Sequence, residues 1–243
     1  MKIECSTSIS KKILSFILAF FCVIFFPYIA CHISDIITRY SYNLLWLYIH
    51  HMIQMILALV VIILPIWKKS FFEWGFNINE KAWSLRTVLK FGIGWFIIQT
   101  IMILVLRTPS PISYSLNFKN IVGDLVFDFV LTGISEEILF RALAIGILIK
   151  SWKRKVKILG FEISTAGFIA AILFSLAHIG FTIYPFQITY VQPMQLAFAF
   201  GLGIFYAVMF EKTGSLLGPI LAHGASDGLI TVIFLILKVI GLS

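Results

Sequence analysis

Three charged residues, Glu136, Glu137 and Arg141, lie close together inside an apolar stretch that is long enough to form a membrane helix. A charged side chain at bilayer depth costs about 2.5–3.5 kcal/mol on insertion scales, so intramembrane charges mark candidate functional sites. Glu137 and Arg141 are four residues apart with the acid first, which predicts a structural ion pair on one helix face. Glu136 lies about 100° further round the helix, so we expect it to be the reactive acid.

Two further pairs of residues with a spacing of four follow along the chain, Phe174 with His178 and His223 with Asp227. On helices, the members of each pair lie on one face. Counted at about 1.5 Å per residue from the basic ends of their segments, Glu136 and the three downstream ionisable residues all lie roughly 17–24 Å deep. The four residues are therefore predicted to meet in one layer of the membrane.

Such a set of side chains suits hydrolysis. A carboxylate and an imidazole can hold and deprotonate a water molecule, and a second imidazole with another polar group can stabilise the oxyanion of a tetrahedral intermediate. Zinc chemistry is the alternative. Glu136, His178 and His223 are candidate zinc ligands, although the sequence lacks the His-Glu-x-x-His spacing of many zinc proteases. The serines of the apolar segments, such as Ser135, Ser175 and Ser226, are interpreted as packing residues and not as nucleophiles, because small hydroxyl groups in membrane helices usually bond to the backbone or pack against a neighbouring helix.

The composition indicates a membrane protein. The 243 residues are 60% hydrophobic and only 12% charged, whereas soluble domains carry about 25% charged residues. The net charge of +8 could suggest a nucleic-acid partner. However, the basic residues fall in short clusters between apolar segments, which is the pattern of cytoplasmic loops. The predicted partners are therefore the lipid bilayer and a peptide or membrane-protein substrate, and not nucleic acid.

The predicted fold class is all-α: a polytopic transmembrane bundle of about seven spanning helices, with six to eight compatible with the pattern. The last apolar segment contains Pro219, so it is either one kinked helix or two short pieces. The apolar segments run at about 13–33, 43–66, 87–106, 121–149, 163–183, 194–210 and 213–240.

A proline-containing loop at residues 108–111 cannot continue a helix. We expect it to separate an N-terminal accessory region with three transmembrane helices, residues 1–117, from a catalytic transmembrane domain, residues 118–243. In the accessory region, His50 and His51 lie near the outer end of the second segment, and they are interpreted as interfacial histidines.

Lysine and arginine residues gather at the N-terminus and after the second, fourth and sixth apolar segments. This distribution predicts a cytoplasmic N-terminus in a multi-pass protein of the cytoplasmic membrane. The sequence has no evident internal repeat, which argues against a transporter built from inverted repeats.

Taken in order, Glu136-Glu137-x-x-x-Arg141, Phe174-x-x-x-His178 and His223-x-x-x-Asp227 resemble the motifs of the CPBP family. This family comprises the CAAX proteases and bacteriocin-processing enzymes and is also called the Abi family; the resemblance covers residues 118–240. It implies an all-helical intramembrane endopeptidase that cleaves near the membrane, in some members at the C-terminal tripeptide of prenylated proteins. It also implies that Glu136 and His178 activate the water, and that His223 and Asp227 form the oxyanion site.

One residue departs from the family pattern, because many relatives have asparagine where this chain has Asp227. A carboxyl group can donate a hydrogen bond only when it is protonated. Asp227 is therefore either protonated through burial or acts as an acceptor or a metal ligand. Family members have been described both as metalloproteases and as glutamate-type enzymes without metal, and both possibilities stay open at this point.

The leading hypothesis is an intramembrane peptidase of a bacterial cytoplasmic membrane, acting on a membrane-associated peptide or lipoprotein-like substrate. Two alternatives use the same residues differently. The chain could be a non-catalytic immunity or scaffold protein with the same fold. It could also be a proton-coupled transporter, because intramembrane Glu and His residues are typical of proton relays.

Overall fold

The computed structural model describes residues 8–158 and 160–242, and within these ranges the chain forms seven helices, two short β-hairpins and two 3-10 turns. The helices are α1 (Ile9–Thr38), α2 (Leu44–Ile62), α3 (Lys81–Leu106), α4 (118–148), α5 (Thr165–Leu176), α6 (Pro193–Thr213) and α7 (Leu217–Val239). The antiparallel hairpins pair β1 (Lys155–Ile158) with β2 (Phe161–Ser164) and β3 (Gly180–Thr182) with β4 (Gln187–Tyr190). The all-α prediction is confirmed.

Five of the helices, α1, α2, α3, α6 and α7, are long and apolar enough to cross a membrane. The chain is a multi-pass membrane protein. The helix that carries the charged motif, α4, is continuous but irregular, with π-helical turns at Phe127–Thr132 and Ile138–Ile145 on either side of Gly133–Glu137. Such π-helical turns are rare in proteins and frequently occur at functional sites.

The fifth apolar segment forms a shorter helix than expected, because α5 ends at Leu176. Ser164 caps its first turn by accepting a hydrogen bond from the Gly167 amide at 3.0 Å. Beyond α5 the chain turns into the β3–β4 hairpin, which contains Pro185, a residue that has no amide hydrogen to continue a helix. His178 therefore lies just past the end of α5 and not inside a spanning helix.

The last apolar segment is one helix, α7. Pro219 lies in its first turn, where a missing amide hydrogen breaks no helical hydrogen bond. Glycines bring α7 against α4: a side chain at Gly224 would meet the carbonyl group of Phe129, and one at Gly133 would meet the carbonyl group of Ile220. The two backbones approach as closely as small residues permit in membrane bundles.

The second half of α4 is the centre of the bundle, and every side chain of Ile138–Ile145 is buried. Trp74, buried in the α2–α3 connection, packs its ring over Gly146, where no side chain intervenes. The ammonium group of Lys69 lies 4.4 Å from the centre of that ring. Partial burial, followed by the charge of Lys150, lowers the pKa of Lys69 from the ordinary lysine value.

The basic connections gather at one end of the bundle. Trp152, which follows α4, donates through Nε1 to the carbonyl group of Lys12 at the start of α1 (3.3 Å). Lys69 donates to the carbonyl group of Gly146 near the end of α4 (3.2 Å). This is the arrangement that the charge distribution predicts, and the side of the membrane that this end faces stays a prediction.

Candidate active site

Glu137 and Arg141 form the ion pair that their spacing predicts. Arg141 Nε lies 3.0 Å from Glu137 Oε2, and both side chains are buried, with exposures of 1% and 0%. The two groups are not aligned as a hydrogen bond, so charge rather than directed bonding holds them. Arg141 Nη2 donates to the carbonyl group of Gly203 (3.2 Å), and its guanidinium lies over the rings of Phe174 (4.7 Å) and Tyr206 (5.2 Å).

Glu137 has a second partner, which helical spacing alone does not reveal. Its Oε1 atom lies 2.7 Å from Nδ1 of His223 on α7. Because a carboxylate only accepts hydrogen bonds, Nδ1 of His223 carries a proton in this contact. The contact fixes the orientation of the imidazole and turns its Nε2 atom away from Glu137.

The Nε2 atom of His223 faces two further carboxylates. Oδ2 of Asp227 lies 3.4 Å from it, and Oε2 of Glu136 lies 3.8 Å from it. The imidazole ring stacks on Tyr206 at 5.1 Å and meets Phe174 edge to face at 5.6 Å. The buried ring is therefore held on all sides, and its free nitrogen lies between the two acids.

His178 reaches the site from the turn after α5. Its Nδ1 atom lies 2.8 Å from the carbonyl group of Phe174. Since a carbonyl group only accepts, Nδ1 is the protonated nitrogen, and in the neutral ring Nε2 keeps its lone pair. Phe174 and His178 do lie together, with ring centres 5.0 Å apart, but they do so through a turn and not on one helix face.

Glu136, His178, His223 and Asp227 line one cavity of about 260 Å³. The Asp227 side chain is 37% exposed and Glu136 20%, so the acids are open to the cavity while the Glu137–Arg141 pair is closed off behind them. An imidazole with a free lone pair, a carboxylate and a second fixed imidazole thus surround a space large enough for a peptide group and a water molecule.

The other walls of the cavity come from α3 and α6, which sequence reasoning had not connected with the site. Gln99 on α3 lines the cavity, is 8% exposed and makes no side-chain hydrogen bond within residues 8–158 and 160–242. On α6, the buried Oε1 atom of Gln195 also lacks a partner among the described residues. Apolar lining comes from both helices, including Trp95, Phe198 and Leu202. An amide inside an apolar segment is the sequence signal that could have found them.

The interpretation of His51 as interfacial is wrong. His51 is 9% exposed, and its Nδ1 atom lies 2.7 Å from Oγ of Ser135 and 4.0 Å from Oε1 of Glu136. Its neighbour His50 turns the other way and stacks on Trp46 at 4.9 Å. The inward position of His51 could have been suspected from Gln54, a second polar residue one helical turn later on α2.

The arrangement of the candidate metal ligands bears on the zinc hypothesis. Among the residues that the structure describes, no group of three or more His, Cys, Asp or Glu side chains is placed to hold a metal ion. The Nδ1 atom of His178 is directed to a backbone carbonyl group, an arrangement that leaves Nε2 as the nitrogen that faces a water molecule or a metal ion. Zinc ligation by Glu136, His178 and His223 stays a prediction.

Part of the second half of the chain is similar to known proteins. The family model described as Type II CAAX prenyl endopeptidase Rce1-like matches residues 118–229. The CAAX prenyl protease 2 of Arabidopsis thaliana is 29% identical over 108 residues, which cover 40% of this chain and 31% of that relative. The chain thus spans about a third of the length of this curated relative. No solved structure matches the chain. Because the matched residues contain all three motifs, the resemblance drawn from those motifs is confirmed.

Proposed function

We propose that this chain, which matches the Rce1-like family model at residues 118–229, is an intramembrane endopeptidase. It would hydrolyse peptide bonds of membrane-associated peptides or proteins, and the C-terminal tails of prenylated proteins are one candidate class. The observation that supports this proposal is the shared cavity, in which Glu136, His178, His223 and Asp227 converge from three parts of the chain.

In the proposed reaction, Glu136 and the free Nε2 atom of His178 hold a water molecule. Glu136 takes one proton from the water molecule while the water oxygen attacks the carbonyl carbon of the scissile bond. The carbonyl oxygen becomes an oxyanion, and the bond to the leaving nitrogen then breaks as Glu136 returns the proton to that nitrogen. Water is thereby divided between the new carboxyl group and the new amine.

The oxyanion would be stabilised by His223. In its doubly protonated form, this imidazole donates Nδ1–H to Glu137 and Nε2–H to the oxyanion. We assign Asp227 to the acceptor role, because its Oδ2 atom lies 3.4 Å from Nε2 of His223. As an acceptor, Asp227 holds the Nε2–H group of His223 before the substrate binds. Its negative charge keeps the imidazole protonated when that N–H turns to the oxyanion, so Asp227 does not itself need to be protonated. This assignment distinguishes the chain from relatives with asparagine at that position.

The amides of Gln99 and Gln195 would bind the substrate main chain. Both side chains line the cavity without a side-chain hydrogen bond among the described residues, and the natural partners of an amide are the N–H and C=O groups of a peptide. Trp95, Phe198 and Leu202 would then contact an apolar substrate side chain. An extended peptide segment fits this combination of amides and apolar lining.

The test is cleavage of membrane-anchored fluorogenic peptides by the purified protein in detergent. Glu136→Gln, His178→Ala and His223→Ala are each expected to lower kcat at least about 100-fold. Glu162→Gln is the matched control, because Glu162 lies in an exposed pair with Lys155 on the β1–β2 hairpin. Wild-type rates in all three site variants would contradict the proposal.

Two further measurements separate the alternatives. Metal content and cleavage in the presence of a chelator test the zinc hypothesis. Loss of activity together with loss of bound zinc would support Glu136, His178 and His223 as zinc ligands. A chain that binds the peptides without cleaving them would support a scaffold, and uptake driven by a pH gradient in vesicles would support a transporter.

A further inference from the structure

We infer that His51 is a positioning residue for Glu136, so that the region predicted to be accessory completes the active site. This inference rests on the proposed function. His51 lies on α2, outside the residues 118–229 that match the protease family. The imidazole of His51 is therefore not part of the three motifs.

The hydrogen bond between His51 and Ser135 defines which nitrogen of His51 carries the proton. Ser135 Oγ lies 3.2 Å from the carbonyl group of Thr132, to which it can only donate. When that proton is donated to Thr132, the hydroxyl oxygen is left as an acceptor 2.7 Å from Nδ1 of His51, and we assign the Nδ1–H tautomer to His51 on this basis. The Nδ1–H group of His51 thus points toward the helix turn that carries Glu136.

The imidazole is held in this orientation by packing. Its ring meets the ring of Phe127 edge to face, with centres 5.0 Å apart and planes at 82°. One turn earlier on α2, the hydroxyl group of Tyr48 donates to the carbonyl group of Gly123 on α4 at 2.9 Å. The helix that carries His51 is therefore tied to the helix that carries Glu136 at His51 itself and one turn earlier.

The two oxygens of Glu136 face different histidines. Oε1 lies 4.0 Å from Nδ1 of His51, and Oε2 lies 3.8 Å from Nε2 of His223. The other ionisable groups around this carboxylate are Asp227 on α7, His178 after α5 and Glu137 on α4 itself. Loss of the His51 ring would leave space beside Oε1 of Glu136, and we expect the carboxylate then to move onto His223. In that position it would block the oxyanion donor and no longer hold water.

His50 provides the contrast on the same helix. It is adjacent in sequence and also an imidazole, but its ring stacks on Trp46 and it has no contact with Glu136. The positioning role of His51 therefore depends on where its nitrogen atom lies in the site. The mere presence of a histidine on α2 is not sufficient.

Two conservative variants test the role. In His51→Asn the amide nitrogen takes the place of Nδ1, whereas in His51→Gln it lies one bond further out, at the place of Nε2. We expect His51→Asn to keep most of the wild-type kcat and His51→Gln to lose on the order of 10- to 100-fold, with KM unchanged in both. His50→Asn is the control and should cleave like the wild type.

The outcomes are distinguishable. Equal kcat values for His51→Asn and His51→Gln, in proteins with the same unfolding temperature, would overturn the inference alone. A wild-type protein that cleaves none of the peptides would overturn the proposed function and the inference together. Both variants keep a polar amide, so both are expected to fold, and the unfolding temperature verifies this.

Discussion

At the scale of single residues, Glu137 uses its two carboxylate oxygens for different partners, Arg141 and His223. One contact neutralises a buried cation, and the other orients the imidazole that the mechanism assigns to the oxyanion. A residue that spacing assigns to structure alone is therefore also placed to support the chemistry. We therefore expect the contact with Arg141 to determine mainly the stability of the protein and the contact with His223 to determine mainly its activity.

Glu137→Gln is expected to destabilise the protein by about 3–5 kcal/mol, because it leaves Arg141 buried without a countercharge. In the double variant Glu137→Leu/Arg141→Met no charge is left unpaired, so much of that stability should return. Its kcat should stay low, because His223 has lost its acceptor. Unfolding temperature and kcat, measured on the same preparations, test this; a stable and fully active double variant would contradict the second role of Glu137.

Gln99→Leu is expected to raise KM about tenfold with little change in kcat, because a buried amide that pairs with the substrate main chain is lost. Gln54→Leu is the matched control: Gln54 is also a buried amide in a membrane helix, with 3% exposure, but it lies outside the cavity. Peptide-cleavage kinetics measure both variants. Equal KM values for the Gln99→Leu and Gln54→Leu variants would show that Gln99 does not contact the substrate.

At the scale of helices, the bundle is organised by the approach of α4 and α7. Gly133 and Gly224 remove the side chains that would separate the two backbones. This approach lets Glu137, on α4, reach His223, on α7. The irregular π-helical turns before and after Gly133–Glu137 lie in the same part of α4.

Gly224→Ala is expected to destabilise the protein by about 1–3 kcal/mol, because the added methyl group would meet the carbonyl group of Phe129 and force the helices apart. It should also lower kcat through the displaced His223. Gly201→Ala on α6 is the control, since open space surrounds that position and alanine favours a helix over glycine. The comparison uses unfolding temperature, and equal values for the two variants would contradict the close contact.

The sequence predicts the functional residues on each helix better than the contacts between helices. The spacing of Glu137 and Arg141 determines a contact within one helix, and the sequence predicts it. The contacts of His51 with Ser135 and of Gln99 with the cavity depend on how α2 and α3 are rotated. Helices that are apolar on most sides do not define that rotation by their hydrophobic pattern. The early end of α5 depends on the hairpin after it, which has no strong signal in an apolar sequence.

At the scale of the whole molecule, residues on both sides of the predicted boundary line the cavity. The loop at that boundary is also tied down: the ammonium group of Lys238 donates to the carbonyl groups of Ile112 (2.6 Å) and Tyr114 (3.1 Å), and the Tyr114 hydroxyl bonds Asp124 on α4. The division into residues 1–117 and 118–243 stays a prediction, but the site draws on both parts.

Residues 118–243 expressed alone are therefore expected to be inactive, although they contain all three of the motifs described above. Co-expression with residues 1–117 should restore cleavage, because α2 and α3 bring back His51 and Gln99. Cleavage of anchored peptides in isolated membranes measures this, with the uncut chain as the reference. Full activity of the second fragment alone would contradict a contribution from the first.

The shortness of α5 has a consequence for how a hydrolase inside lipid obtains its water. Its 12 residues extend roughly 18 Å, against about 30 Å for the hydrocarbon layer. The β3–β4 hairpin that follows has open strand edges, which need hydration. We expect the bilayer to become thinner beside α5, which brings bulk solvent down to the level of His178. Turnover should then depend on lipid acyl-chain length, because thicker membranes would lengthen the path that each water molecule must travel.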